Sequence, residues 1–203
     1  MPSDRRLNAI KGLIELYTVV IGVALSFAVY SVVGSNRGLL GVSVHSVCLF
    51  GAFIATLFPF YHGALRHLYD AYLERSNEHI RPAAVIPDFA LLFLHALAFV
   101  VLALLLDKPG HFLWVLNCIL AIDVLWAGFA YFGASSKGTV SAEGRWAVIN
   151  FVFVVAALFY LILNDIFLGD VADASKLSLL ILIACVARSV WDYLWCRSFY
   201  FPD

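Results

Sequence analysis

Six apolar runs, each long enough to cross a bilayer, leave this chain of 203 residues few ways to fold. A helix spanning the hydrocarbon needs about 20 mostly apolar residues, and such runs occur at about 12–33, 39–61, 83–106, 111–133, 146–168 and 177–196. Residues that stop a helix or seek water separate them: Gly34 to Gly38, Glu74 to Pro82, Asp107 to Gly110, Ser135 to Gly138, and Gly169 to Ser175. The runs are too long for ordinary strands and lack the alternation of a membrane barrel. The expected fold is therefore all-α: one membrane domain over residues 1–203, a polytopic bundle of six transmembrane helices.

Composition points the same way. Only 13% of the residues are charged and 63% are hydrophobic. A water-soluble domain carries about 25% charged residues. Half that number cannot cover a surface of this size in water, whereas lipid removes the need. A net charge of −1 argues against a nucleic-acid partner. The four cysteines, Cys48, Cys118, Cys185 and Cys196, stand singly in or beside apolar runs, so neither a disulfide framework nor a zinc site is expected. The first run is read as a retained span, because it is too long for a signal core and contains Glu15.

Basic residues give an orientation. With the N-terminus inside, Arg5, Arg6, Lys11, Arg66, Arg75, Arg81, Lys137, Arg145, Arg188 and Arg197 fall on the cytoplasmic side, and Arg37, Lys108 and Lys176 outside. That is ten of the 13 basic residues against three, as the positive-inside rule requires. Both termini are expected in the cytoplasm of a multi-pass cell-membrane protein, the inner membrane in a prokaryote. The five tryptophans fall near span ends, where an amphipathic ring is at home. Beyond Pro59, which is expected to kink the second span, residues 62–80 read as an amphipathic cytoplasmic extension.

An ionisable group within the hydrocarbon costs about 2.5–3.5 kcal/mol and normally finds a partner, so such residues map the candidate site. On this topology they gather toward the cytoplasmic side: Glu15 in span 1, His62, Arg66 and Asp70 at the end of span 2, Asp88 in span 3, Asp123 in span 4, Asn150 in span 5, and Arg188 and Asp192 in span 6. Asp123 is the strongest candidate, since its neighbours are apolar and no base lies nearby in sequence; Arg188 is its expected partner. Arg66 with Asp70, and Arg188 with Asp192, repeat an i, i+4 spacing that suits ion pairs along one helix face. Asp88, following Pro87, reads as an acid capping the first turn of its helix. Glu15, Thr18, Gly22 and Ser26 share one face, a small polar stripe suited to close packing. No metal is expected, because no His-x-x-x-His or His-Glu-x-x-His spacing occurs and Arg66 stands between His62 and Asp70.

These readings lead to an oligomeric channel, pore or transporter-like protein with a charged cytoplasmic vestibule and no cofactor. One alternative is an intramembrane enzyme or cofactor carrier acting on a lipid or quinone; no nucleophile–base spacing supports catalysis. Another is a membrane-anchored effector that perturbs membrane integrity. Expected partners are the lipid bilayer, further copies of the chain and a cytoplasmic protein docked on the basic, aromatic rim.

Overall fold

A computed structural model describes residues 4–34, 42–74, 82–134, 142–163 and 173–202. The described residues form α1 (Asp4–Val33), α2 (Val44–Leu68), α3 (Pro82–Ala103), α4 (Pro109–Ala134), α5 (Ala142–Leu163), α6 (Ala174–Trp195) and a short α7 (Arg197–Tyr200). No strand occurs among them. α1 to α6 each supply an apolar stretch long enough to cross a membrane, from 19 to 29 residues, the longest running past the end of α2 to Tyr72. At 1.5 Å per residue the shortest covers about 28 Å, close to the hydrocarbon thickness. The chain is an integral membrane protein of six spans.

The outer surface is that of a protein solvated by lipid. Phe129, Leu194 and Ile86 are more than 70% exposed, on helices whose opposite faces are packed. Such a surface is unfavourable in water and neutral against acyl chains. Inside, α1 pairs with α3, α2 with α6 and α4 with α5, and the three pairs enclose one core containing Tyr17, Leu49, Phe53, Phe99 and Phe112. The region carrying the start of α1 and the end of α6 is called here the terminal end.

The α2–α6 pairing rests on two local features. Gly51 brings the backbones close, since a Cβ there would lie 2.9 Å from Leu182 Cδ1. Pro59, buried inside α2, has no N–H to give to the carbonyl four residues earlier. That carbonyl, Ala55 O, instead faces Ser189 Oγ of α6, whose single hydrogen it shares with Cys185 O of Ser189's own helix at 2.8 Å. In lipid no water can take this role, so the bond fixes the register of α6 on α2.

Several boundaries differ from expectation. α2 runs as α-helix to Leu68 and then widens into a π-helical segment, Tyr69–Glu74, so the expected extension is partly π-helical, and residues 75–80 lie outside the described residues. α3 starts at Pro82, which places Pro87 inside the helix and Asp88 beyond its first turn. α1 buries Ile10, Ile14, Tyr17, Ile21, Ala24 and Ala28 and turns Glu15, Thr18, Gly22 and Ser26 outward. The packing stripe is thus the apolar one. The hydroxyls of Thr18 and Ser26 donate to Ile14 O (3.0 Å) and Gly22 O (2.9 Å) of their own helix, and Thr18 Oγ1 also meets Tyr61 Oη of α2 at 3.2 Å.

Gly51→Ala is expected to be tolerated, because the Leu182 methyl it meets can rotate away. Gly51→Phe is expected to destabilise by about 1–3 kcal/mol through overpacking. Thermal unfolding of the two variants in detergent checks this.

Candidate functional site

The site begins with the inward stripe of α6. Leu177, Ile181 and Cys185 are buried at four-residue spacing, and Arg188 and Asp192, three and seven residues on, continue the same face toward the terminal end. The helix therefore carries its two charges into the bundle, where they are 4% and 2% exposed. Arg188 Nε donates to Asn150 Oδ1 of α5 at 2.7 Å, and Asn150 Nδ2 donates to Asp123 Oδ2 of α4. One amide accepts from the cation and donates to the anion, so α4, α5 and α6 are joined by a single chain of hydrogen bonds. On its other side the guanidinium lies 4.8 Å from the centre of the Phe60 ring of α2, a favourable cation–π placement.

The expected pairing of Arg188 with Asp192 is not what the structure shows. Asp192 Oδ2 accepts from Tyr200 Oη at 2.9 Å, and both Asp192 Oδ1 and Arg188 Nη1 lack a hydrogen-bond partner. Asn150 competes for the guanidinium, and Tyr200 from α7 takes the carboxylate. Arg66, in the other expected pair, donates from Nε to the Phe199 carbonyl at 3.2 Å and so ties α2 to α7. Asp70 lies half-buried in the π-helical segment. His62 packs among Tyr193, Tyr200 and Phe201, with Nδ1 3.4 Å from Tyr193 Oη.

A chamber of about 40 Å³ lies inside these residues, lined by Tyr17, Phe60, His67, His95, Asp123, Trp126, Trp146, Asn150, Arg188, Asp192 and Tyr200 among others. Residues of this wall carry four buried polar atoms without partners: His95 Nε2, Trp146 Nε1, Arg188 Nη1 and Asp192 Oδ1. They come from α3, α5 and α6 and include both donors and acceptors. Buried polar atoms are nearly always paired, so four orphans around one small space mark it as a place for a polar guest.

A second cluster sits beside the chamber. Asp88 accepts from Tyr72 Oη at 2.5 Å and Trp126 Nε1 at 3.1 Å, and its Oδ2 lies 3.4 Å from His67 Nε2. His67 Nδ1 faces Glu143 Oε1 at 3.3 Å. Asp88 is therefore the hub of a network joining α2, α3, α4 and α5 rather than a helix cap.

Sequence reasoning selected Asp123, Asn150, Arg188 and Asp192, which line the chamber, and Asp88 in the adjoining cluster. Glu15 belongs to neither, since its side chain is on the outer face of α1. Tyr17, His95, Trp146 and Tyr200 were not among the candidates. His95 carried a signal, being an imidazole in an apolar run; Trp146 was read as a ring at a span end, and nothing local marked Tyr17 or Tyr200.

A larger cavity, about 210 Å³, lies between α4, α5 and α6 on the side away from the terminal end. Its wall is apolar except for Thr56, Asn117, Tyr160 and Arg188. Arg188 lines both cavities. Among the described residues no group of three or more His, Cys, Asp or Glu is placed to hold a metal ion. Comparison with family models, with curated proteins and with solved structures found no match.

Outside the spans, burial and the neighbouring Asp192 carboxylate push the Cys196 thiol up from 9.0 to about 12. The same two causes raise Tyr200, which stays a hydroxyl donor to Asp192. A thiol raised on folding stabilises the folded state fully below its unfolded value, and this contribution is lost as pH rises through about 12. At pH 8 maleimide is therefore expected to label Cys196 far more slowly in the folded protein than after unfolding in SDS. Asn150→Leu strands a cation and an anion inside the bundle and is expected to cost about 3–5 kcal/mol in detergent unfolding. Phe151→Leu, a change on the lipid-facing side of the same helix, is expected to be nearly neutral.

Proposed function

We propose that this protein is a permeation protein of the channel or transporter type, with the polar chamber as its inner half-path. The observation that carries this reading is that two cavities lie in series along the bundle and share one residue, Arg188. The Asp123–Asn150–Arg188 chain is the constriction between them. Opening requires the Asn150 bonds to part, and the orphan atoms of the chamber supply alternative partners for a polar species moving past.

The charge of the chamber region favours protons or small cations over anions. In the wall Asp123 and Asp192 match Arg188 and His67, and Asp88 and Glu143, on the far side of His67, add negative charge beside it, which attracts cations in a low dielectric. Both termini are proposed to face the cytoplasm on the ten-to-three division of basic residues. The chamber then opens toward the cytoplasm. A homo-oligomer remains part of the proposal, with the exposed Thr18, Gly22 and Ser26 face of α1 as the surface where a second copy packs.

Purified protein in liposomes is expected to carry a proton or potassium flux above that of empty liposomes. Asp123→Asn and Arg188→Gln are expected to change it by about tenfold or more, the effect of about 1.4 kcal/mol in a barrier. Wild-type protein that is folded and monodisperse yet passes neither ion in a proton or potassium gradient, with or without a membrane potential, would overturn the reading. A reporter fused after Pro202 tests the orientation: fluorescence of a cytoplasmic reporter is expected, and activity of a periplasmic phosphatase is not.

A further inference from the structure

The larger cavity has a chemistry of its own. Two polar atoms of its lining residues lack partners, Arg188 Nη1 and Asn117 Oδ1, on side chains 4% and 5% exposed. The rest of the wall is mainly hydrocarbon, including Leu116, Phe153, Ala157, Ile181 and Ala184. An apolar cavity of about 150 Å³ holds a benzene molecule, so about 210 Å³ has room for a stretch of one hydrocarbon chain. Leu180, a wall residue, is 47% exposed, which gives the cavity an edge on the lipid.

A wholly apolar occupant would leave Nη1 and Oδ1 unpaired. A guest that satisfies both must accept from the guanidinium and donate to the amide oxygen, as an O–H group does. An ionised acid fits poorly, for it offers no donor, and Arg188 already lies between Asp123, reached through Asn150, and Asp192. A third negative charge around one guanidinium would be unbalanced.

We propose that the cavity between α4, α5 and α6 binds a single-chain amphiphile with an uncharged O–H head, the head against Arg188 and Asn117 and the chain among the apolar side chains. A long-chain alcohol, a quinol and a protonated fatty acid share this chemistry. The proposal deepens the permeation reading, because an occupant would fill the half-path beyond Arg188. It is measured by binding alone, so the two fail separately.

The test uses the full-length protein in lipid nanodiscs with three photoreactive diazirine probes: a long-chain alcohol, its methyl ether, and the matching fatty acid at alkaline pH. The alcohol is expected to label residues of α4, α5 and α6. Ala157→Trp, which fills the cavity, is expected to reduce labelling about tenfold, equivalent to about 1.4 kcal/mol of binding. Ala184→Phe serves the same purpose from α6 if the first variant does not fold. Asn117→Leu is expected to weaken the alcohol several-fold and leave the ether unchanged, removing the preference between them. Equal labelling of wild type and the filled variants, labels confined to other helices, or preference for the ether or the ionised acid would each overturn the proposal. Intact labelling in a protein without flux would count against permeation only.

Discussion

A guanidinium cannot be left alone in hydrocarbon, and most of the organisation of this bundle follows from how Arg188 is accommodated. Arginine stays charged at any accessible pH, so the protein must supply partners rather than remove the charge. It does so with a neutral intermediary. Asn150 holds the cation by its carbonyl oxygen and the Asp123 carboxylate by its amide nitrogen. A direct ion pair gains its energy by bringing the charges together. The amide instead keeps them apart while satisfying one side of each, and Nη1 remains free for a further interaction. The site is stable without being closed.

How much of this could be read from the chain depends on which solvent does the sorting. In water, burial separates the two faces of a helix, and the sequence records the division. In lipid the outside is as apolar as the inside, so hydropathy locates six spans yet says little about which face turns inward. Glu15 illustrates the difficulty. Its position among Thr18, Gly22 and Ser26 resembled a packing face, but Ser26 bonds within α1, Thr18 reaches only to Tyr61 of the adjoining α2, and the helix buries its isoleucines, alanines and Tyr17 instead. Charges deep in apolar runs were more informative, because their cost in lipid forces them inward whatever surrounds them. Asp123, Asn150, Arg188 and Asp192 were legible for this reason.

Contacts between distant helices were less accessible. Nothing local marks Tyr200 as the partner of Asp192, or Asp88 as a hub for Tyr72, Trp126 and His67. Asp88 looked like a cap because it follows a proline, a pattern that is common where helices begin. α3 begins earlier, at Pro82, and so moves the carboxylate into the bundle. Trp126 and Trp146, read as interfacial anchors, turn their rings toward the network and the chamber. An aromatic N–H near a membrane surface has two possible homes, and sequence position does not distinguish them.

The pairing of α2 with α6 has a temporal consequence. A ribosome delivers the second span well before the sixth, so the carbonyl that Pro59 deprives of its donor enters the membrane without its eventual partner. Ser189 arrives only with the sixth span, in the same turn as the cation that Asn150 awaits. One helix thus both repairs the backbone of an early span and completes the polar site. A nascent chain halted before that helix would present unpaired groups to lipid.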